Sequence, residues 1–321
     1  MNIAITGASG FIGRLLTDEL HALGDKVVRL SRAAGDGDSV IKGDLTDGSC
    51  GLDDFVANAE VIYHCAGEVK NPKLMYPLHV KGTANLLAAV QRRIRRDGKP
   101  VHWVQLSSTG AYGKQGDKTI VDESFQPEPV GEYEVTKTIA DELVLAMAQS
   151  EPLFTCTLVR PSIVLGASMP NQSFFQLAMM VRKKMFFYIG NRSINTFTYV
   201  HVDDVVRALI ACGRDPRAAG ETFILSADCL QQKVIQAIAA WAGVSEPVFG
   251  FPEKLLRLLI GVIPSWIRLP LTRERIDALT KTGGFDSRHI GERLDFRFLH
   301  DIPQSVPAIL AGEQNDRSNQ G

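Results

Sequence analysis

The amino-acid sequence predicts a doubly wound, parallel α/β sheet with a smaller, split C-terminal domain. Three observations predict it. Short runs rich in β-branched residues alternate with longer stretches of helical periodicity through the first half. Glycines cluster where the first run hands over to the first helix. Beyond Gly166 the alternation lapses into a segment rich in Phe and Met, then briefly returns.

The first strand is expected at 3–6, with no basic segment and apolar run ahead of it of the kind that marks a signal peptide. The helix that follows runs from Phe11 and stops at Gly24. Further strands are expected at 26–31, 61–65, 101–107 and 154–160. Between those at 61–65 and 101–107, LLAAVQRRIRRDG ends in Gly98 as a glycine C-cap. Arg92, Arg93, Arg95 and Arg96 crowd its last turn, where cations complement the negative end of the helix dipole. No aromatic residues interleave with them to stack bases, so no nucleic-acid partner is expected. EYEVTKTIADELVLAMA forms the helix before the 154–160 strand. After SFFQLAMMVRKKMFFYIG, the stretches TFTYVHVDDVVRALIAC and ETFILSAD restore the pattern, and QKVIQAIAAWAG reads as another helix. The chain divides accordingly into 1–165 with 191–226, carrying the sheet, and 166–190 with 227–311, the smaller domain. Residues 312–321 are polar and expected to be disordered. The Asp203 and Asp204 pair before VVRALI, preceded by His201, reads as a helix N-terminus.

Composition narrows the chemistry. The 321 residues carry 35 Lys and Arg against 36 Asp and Glu, which leaves no global field to attract a polyanion or an anionic membrane. A small-molecule partner is expected. The apolar stretch 255–271 is broken by Arg257, Pro264, Arg268 and Pro270, so no membrane span is expected. Cys50, Cys65, Cys156, Cys212 and Cys229 are odd in number and widely spread, without CxxC. That pattern predicts reduced thiols, a cytoplasmic protein, and no metal site.

The run Thr6-Gly7-Ala8-Ser9-Gly10-Phe11-Ile12-Gly13 falls at the first strand-to-helix turn. A dinucleotide pyrophosphate needs backbone N–H groups at a helix N-terminus with no side chain in the way. Gly7 and Gly10 suit a tight turn and a close approach, and Gly13 suits helix packing on the strand. The end of the second strand, Arg29-Leu30-Ser31-Arg32, has no carboxylate to receive ribose hydroxyls. Arg32 suits a 2′-phosphate, so NADP is preferred to NAD, with Asp36 or Asp38 left as an alternative ribose partner.

Tyr133 and Lys137 stand four residues apart and share a helix face. An ammonium near a phenol favours the phenolate and makes the tyrosine a usable acid/base. Upstream, VHWVQL ends in Ser107-Ser108-Thr109, at the strand C-terminus where open α/β sheets bind ligands.

Taken in order, TGASGFIG, Gly43-Asp44-Leu45, His64-Cys65-Ala66-Gly67, KGTANLL, LSSTGAYG, YEVTK, RPSIVLG and YVHVDDVV make the chain resemble the extended short-chain dehydrogenase/reductases, the branch that includes NAD-dependent epimerase/dehydratases, to about residue 310. The resemblance implies a Rossmann domain in which Gly7, Gly10 and Gly13, with Ser9, Phe11 and Ile12 between them, take the pyrophosphate. Ser31 and Arg32 lie at the adenosine ribose, Asp44 and Leu45 flank the adenine, and Ala66 and Gly67 line the central riboses. Ser108 matches the substrate-polarising hydroxyl and Tyr133 the acid/base. Lys137 tunes Tyr133 and bonds the nicotinamide ribose, while Pro161 and Ile163 run past the carboxamide. A homodimer is a family-level expectation.

Three positions depart from the sugar-nucleotide pattern: His79 and Ile163 stand where Asn is usual, and Phe197 replaces an Arg that grips a diphosphate. Arg192, Arg273 or Arg275 are candidate substitutes. Phe174, Phe175, Met179, Met180, Met185, Phe186 and Phe187 are read as core before pocket lining. The expected activity is hydride transfer at a carbinol or ketone carbon, first of a nucleotide-linked sugar as keto-reductase or epimerase. A hydrophobic ketone of the hydroxysteroid or dihydroflavonol type is the alternative. A non-catalytic NADP(H)-binding sensor or assembly subunit is the reading from another class.

Overall fold

Seven parallel strands arrive in an order that decides where a ligand can sit. They are β1 (Asn2–Thr6), β2 (Lys26–Ser31), β3 (Val40–Lys42), β4 (Val61–His64), β5 (Val101–Leu106), β6 (Phe154–Pro161) and β7 (Thr222–Leu225). Across the sheet they lie as β7-β6-β5-β4-β1-β2-β3. The computed structural model describes residues 1–33, 39–48, 51–114, 116, 118–262 and 273–318. The direction of winding reverses between β1 and β4, and such a switch point opens a crevice at the strands' C-terminal ends. The parallel register sets Thr6 beside His64 at the rim of that crevice.

The five strands read from the sequence are all present, each within a residue of its expected ends. The strand β3 was not expected: three residues are too few to show an alternation. All four positions of β4 are buried, as a strand covered on both faces requires. On one face lie α1 (Phe11–Ala22) and α5 (Val202–Arg214), with Leu16, Leu20, Val205 and Leu209 packed on Ile3 and Ile5. On the other lie α2 (Gly82–Asp97) and α3 (Glu132–Ser150), where Leu86, Val90 and Val144 surround Trp103 and Phe154.

A separate apolar cluster draws on both stretches assigned to the smaller domain. Phe174, Phe175 and Val181 of α4 (Ser173–Arg182), Val234 and Ile238 of α6 (Gln231–Ala242), and Val306 and Ile309 of α7 (Ile302–Ser318) meet there. The helix α7 runs on to Ser318, into the stretch 312–321. The arginine cluster ending α2 is used by the fold itself. Arg93 is buried and donates to the Ala59 carbonyl, and Arg92 pairs with Asp53 at 2.7 Å. Among the described residues no helix is long and apolar enough to cross a membrane.

Candidate active site

The glycine turn has the shape a pyrophosphate needs. Gly7 sits at φ +68°, and a Cβ there would fall 2.7 Å from the Ala66 nitrogen. A Cβ on Gly13 would stand 2.2 Å from the Gly7 carbonyl oxygen, so α1 can approach β1 this closely only without one. Gly10 precedes the first turn of α1 with no side-chain cap, and that turn carries no acidic residue. Its N–H groups and the positive dipole end are left for an anion. Ser9 and Gly10 are exposed, and Phe11 and Ile12 are half-buried.

Around this turn the other expected cofactor residues take varied positions. Arg32 is exposed just past the end of β2, and Ser31 is half-buried beside it. Asp36 and Asp38 lie outside the described residues. One Asp44 oxygen accepts the N–H and hydroxyl of Thr46, both at 2.8 Å, while Leu45 is buried against α2. Ala66 donates its N–H to Thr6 Oγ1 at 3.3 Å, and Gly67 is exposed. Pro161 is buried at the end of β6, with Ile163 exposed just beyond it.

The three hydroxyls after β5 are separated by their partners. Ser107 donates to Asp141 at 2.6 Å, and Thr109 is buried against the Pro161 carbonyl. Of the three, Ser108 is the one partly exposed, and among the described residues its Oγ accepts only the Gly110 N–H, at 3.1 Å. Its own hydrogen is not donated to any of the described residues.

Tyr133 and Lys137 lie in the first turns of α3, but their coupling differs from expectation. Lys137 is buried and donates to the Leu106 carbonyl at 2.5 Å. Burial pushes the Tyr133 phenol up to about 12, and Glu134 and Asp141 add in the same direction. The lowering expected from Lys137 is not found in this structure: desolvation dominates the Tyr133 shift. Burial also lowers the Lys137 pKa, against the attraction of Asp141 one turn on. Asp141 gathers a network that the sequence reading missed: Arg160 pairs with it at 3.2 Å and stacks over the Tyr112 ring at 4.9 Å.

His79, which stands where Asn is usual, lies beside Tyr133 and Lys137. It sits in a wide π-helical turn, Tyr76–Lys81, that leads into α2. Its Nε2 accepts the Glu68 N–H at 2.8 Å, and Nδ1 lies 2.8 Å from Thr136 Oγ1. Thr136 donates to the Glu132 carbonyl, so the network assigns the proton to Nδ1 of a neutral ring. Burial, and then the charge of Lys137, hold its pKa down to about 4. His64 bridges Thr6 Oγ1 at 2.7 Å and Thr83 Oγ1 at 3.0 Å across the switch point, and burial takes its pKa to about 3.

Beyond Ile163 lies a cavity of ≈ 370 Å³ walled by Met180, Phe186, Phe187 and Phe197, with Arg275 and Lys281 at its side. Phe174 and Phe175 are core, as expected, whereas Met180 and Phe187 line this space. Arg192 stacks over the Tyr188 ring instead, at 5.9 Å, and nothing is described of the Arg273 side chain.

Comparison with known proteins extends these findings. The chain is 24% identical over 320 residues to a UDP-glucose 4-epimerase of Vibrio cholerae, covering 92% of this chain and 90% of that one. It is 30% identical over 240 residues to a 4-hydroxy-2-methyl-3-oxo-4-farnesyl-3,4-dihydroquinoline-1-oxide ketoreductase of Stigmatella aurantiaca, covering 70% and 68% respectively. It shares its fold, with a TM-score of 0.73 at 18% identity, with the UDP-glucuronic acid 4-epimerase of Bacillus cereus, covering 98% of this chain and 99% of that one. The model of the NAD dependent epimerase/dehydratase family matches residues 3–225, from the first strand of the central sheet to the last. The chain belongs to the NAD dependent epimerase/dehydratase family and is an enzyme.

Proposed function

We propose that this enzyme is an NADP(H)-dependent oxidoreductase acting at a carbonyl or carbinol carbon of a largely apolar, ring-sized substrate. The observation that carries the substrate class is the cavity beyond Ile163. Its ≈ 370 Å³ falls in the range of small-molecule sites, and its wall is mostly apolar, with Ile163, Met180, Phe186, Phe187 and Phe197 in it. Phe197 stands in that wall where a diphosphate would need a cation. The similarity to a ketoreductase of a farnesylated ring system supports the same reading.

Within the site, the glycine turn and Arg32 hold the dinucleotide, with the arginine on the 2′-phosphate. Bound there, the cofactor supplies or takes the hydride. Ser108 donates a hydrogen bond to the substrate oxygen and orients it. Tyr133 exchanges the proton on that oxygen, and its burial keeps the phenol protonated for donation to a ketone at neutral pH. Lys137 fixes the start of α3 to the end of β5 through Leu106 and sets a positive charge beside the reacting groups.

A second reading, a nucleotide-linked sugar, rests on Arg275 and Lys281 at the same cavity and on the similarity to a UDP-glucose 4-epimerase. The test is a substrate panel with purified enzyme and NADPH or NADH. Cyclic apolar ketones should be reduced with NADPH, with UDP-, GDP- and dTDP-sugars inert. Turnover of the sugars alone would replace the first reading with the second.

A further inference from the structure

We propose that His201, Asp203 and His300 form a binding site for one divalent ion of the zinc class. His201 closes the short strand Tyr199–His201 and opens α5, while His300 comes from the segment just before α7. The two imidazoles stack with centroids 4.2 Å apart and planes 16° from parallel. Asp203 Oδ2 lies 3.5 Å from His201 Nδ1 and 3.6 Å from His300 Nε2, and all the donor atoms fall within 4.8 Å of one another. Tetrahedral zinc with bonds of about 2.0–2.2 Å needs donor atoms about 3.4 Å apart. Two of the three donor separations therefore already stand near that length, and binding requires one imidazole to turn out of the stack so that both lone pairs face the ion.

The surroundings orient the rings as a metal site requires. Asp204 is fully buried, and its Oδ2 lies 3.2 Å from His300 Nδ1, a nitrogen shielded from solvent. The same carboxylate is fixed by the N–H groups of Leu299 and His300, both at 3.0 Å, and by Arg207 at 2.7 Å. His300 Nδ1 makes no hydrogen bond to this carboxylate among the described residues, but a negative charge 3.2 Å away favours the proton on Nδ1 and leaves the Nε2 lone pair on the side of Asp203. His201 Nδ1 receives the Asp203 N–H at 3.3 Å, a contact long enough for an ion to displace. Asp203 is half exposed, which leaves room for a water ligand. Two imidazoles and one carboxylate favour zinc over magnesium or calcium, which seek oxygen alone. The sequence reading looked to cysteines for a metal, and these two histidines are far apart in the chain.

The test is titration of the chelator-treated full chain with Zn²⁺, and with Co²⁺ followed by visible absorption. One ion per chain is expected. His300→Gln should weaken Zn²⁺ binding at least tenfold with far-ultraviolet circular dichroism and NADPH binding unchanged, and Asp203→Asn, at an exposed position, should weaken it in the same sense. Equal Zn²⁺ affinity in wild type and both variants, no binding by the wild type, or equal competition by Mg²⁺ would overturn the proposal and leave the cluster as a cap of α5.

Discussion

His79 stands edge-on to Tyr133, with ring centroids 5.6 Å apart and planes 83° from parallel. Its two nitrogens join the loop at Glu68 to the helix at Thr136, so one ring ties the segment beside the expected cofactor site to the expected acid/base.

His79→Leu keeps the volume but leaves the Glu68 N–H without its acceptor. The expected cost is about 1–3 kcal/mol of stability. We expect kcat to fall about tenfold with a smaller change in NADPH affinity, because the loosened partner is Tyr133. Urea unfolding and steady-state kinetics check this. Wild-type kinetics would show that the ring does not position Tyr133.

The two buried histidines set an acid limit. In the fold, His79 titrates at about 4 and His64 at about 3, against 6.5 for an ordinary imidazole. Below about pH 6.5 the unfolded chain binds protons that the folded chain refuses, so stability rises with pH through this window. It should be full above that value and be lost progressively as pH falls toward 4. Urea midpoints near pH 7.5 and near pH 5 should differ more for the wild type than for His79→Asn, and an equal difference would contradict the assignment.

Arg32 is exposed at the end of β2 and takes no hydrogen bond or ion pair from the described residues. Arg32→Asp should weaken NADPH at least tenfold through charge repulsion, and leave NADH unchanged or improved. Fluorescence titration with both cofactors measures this. An equal loss for both would remove the 2′-phosphate role.

Asp141 is buried with Arg160, Ser107 and Lys137 as its charged or hydrogen-bonding neighbours, and burial raises its pKa despite both cations. Such a pair adds little by itself, but removing one member strands the other. Asp141→Ala should cost about 3–5 kcal/mol. Chemical denaturation measures it, and a cost below about 1 kcal/mol would show that the cations find other partners.

Much of this arrangement was legible because it is local. The glycine turn, the four-residue spacing of Tyr133 and Lys137, and the strand ending at Ser107 each lie within one short segment. Ser108 is singled out by its distance from Tyr112-Gly113 in the motif; what the sequence hides is that Asp141 and Pro161, from distant elements, occupy the hydroxyls on either side of it. Asp141 in ADELVL reads as one more polar helix residue. Only Arg160 on β6 and Ser107 after β5 make it a buried hub. The Lys137 bond to Leu106 was hidden in the same way, as was the burial that raises the Tyr133 pKa. The split of the Phe and Met residues between core and cavity depends on how α4 packs on α6, which composition does not encode.

The most direct test of the central claim is single-turnover oxidation of bound NADPH by the best apolar ketone of the panel, in wild type and in Tyr133→Phe. The account predicts that the variant binds NADPH with wild-type affinity and transfers the hydride about 100-fold or more slowly, the loss of an acid catalyst. Hydride transfer at the wild-type rate in Tyr133→Phe would contradict it.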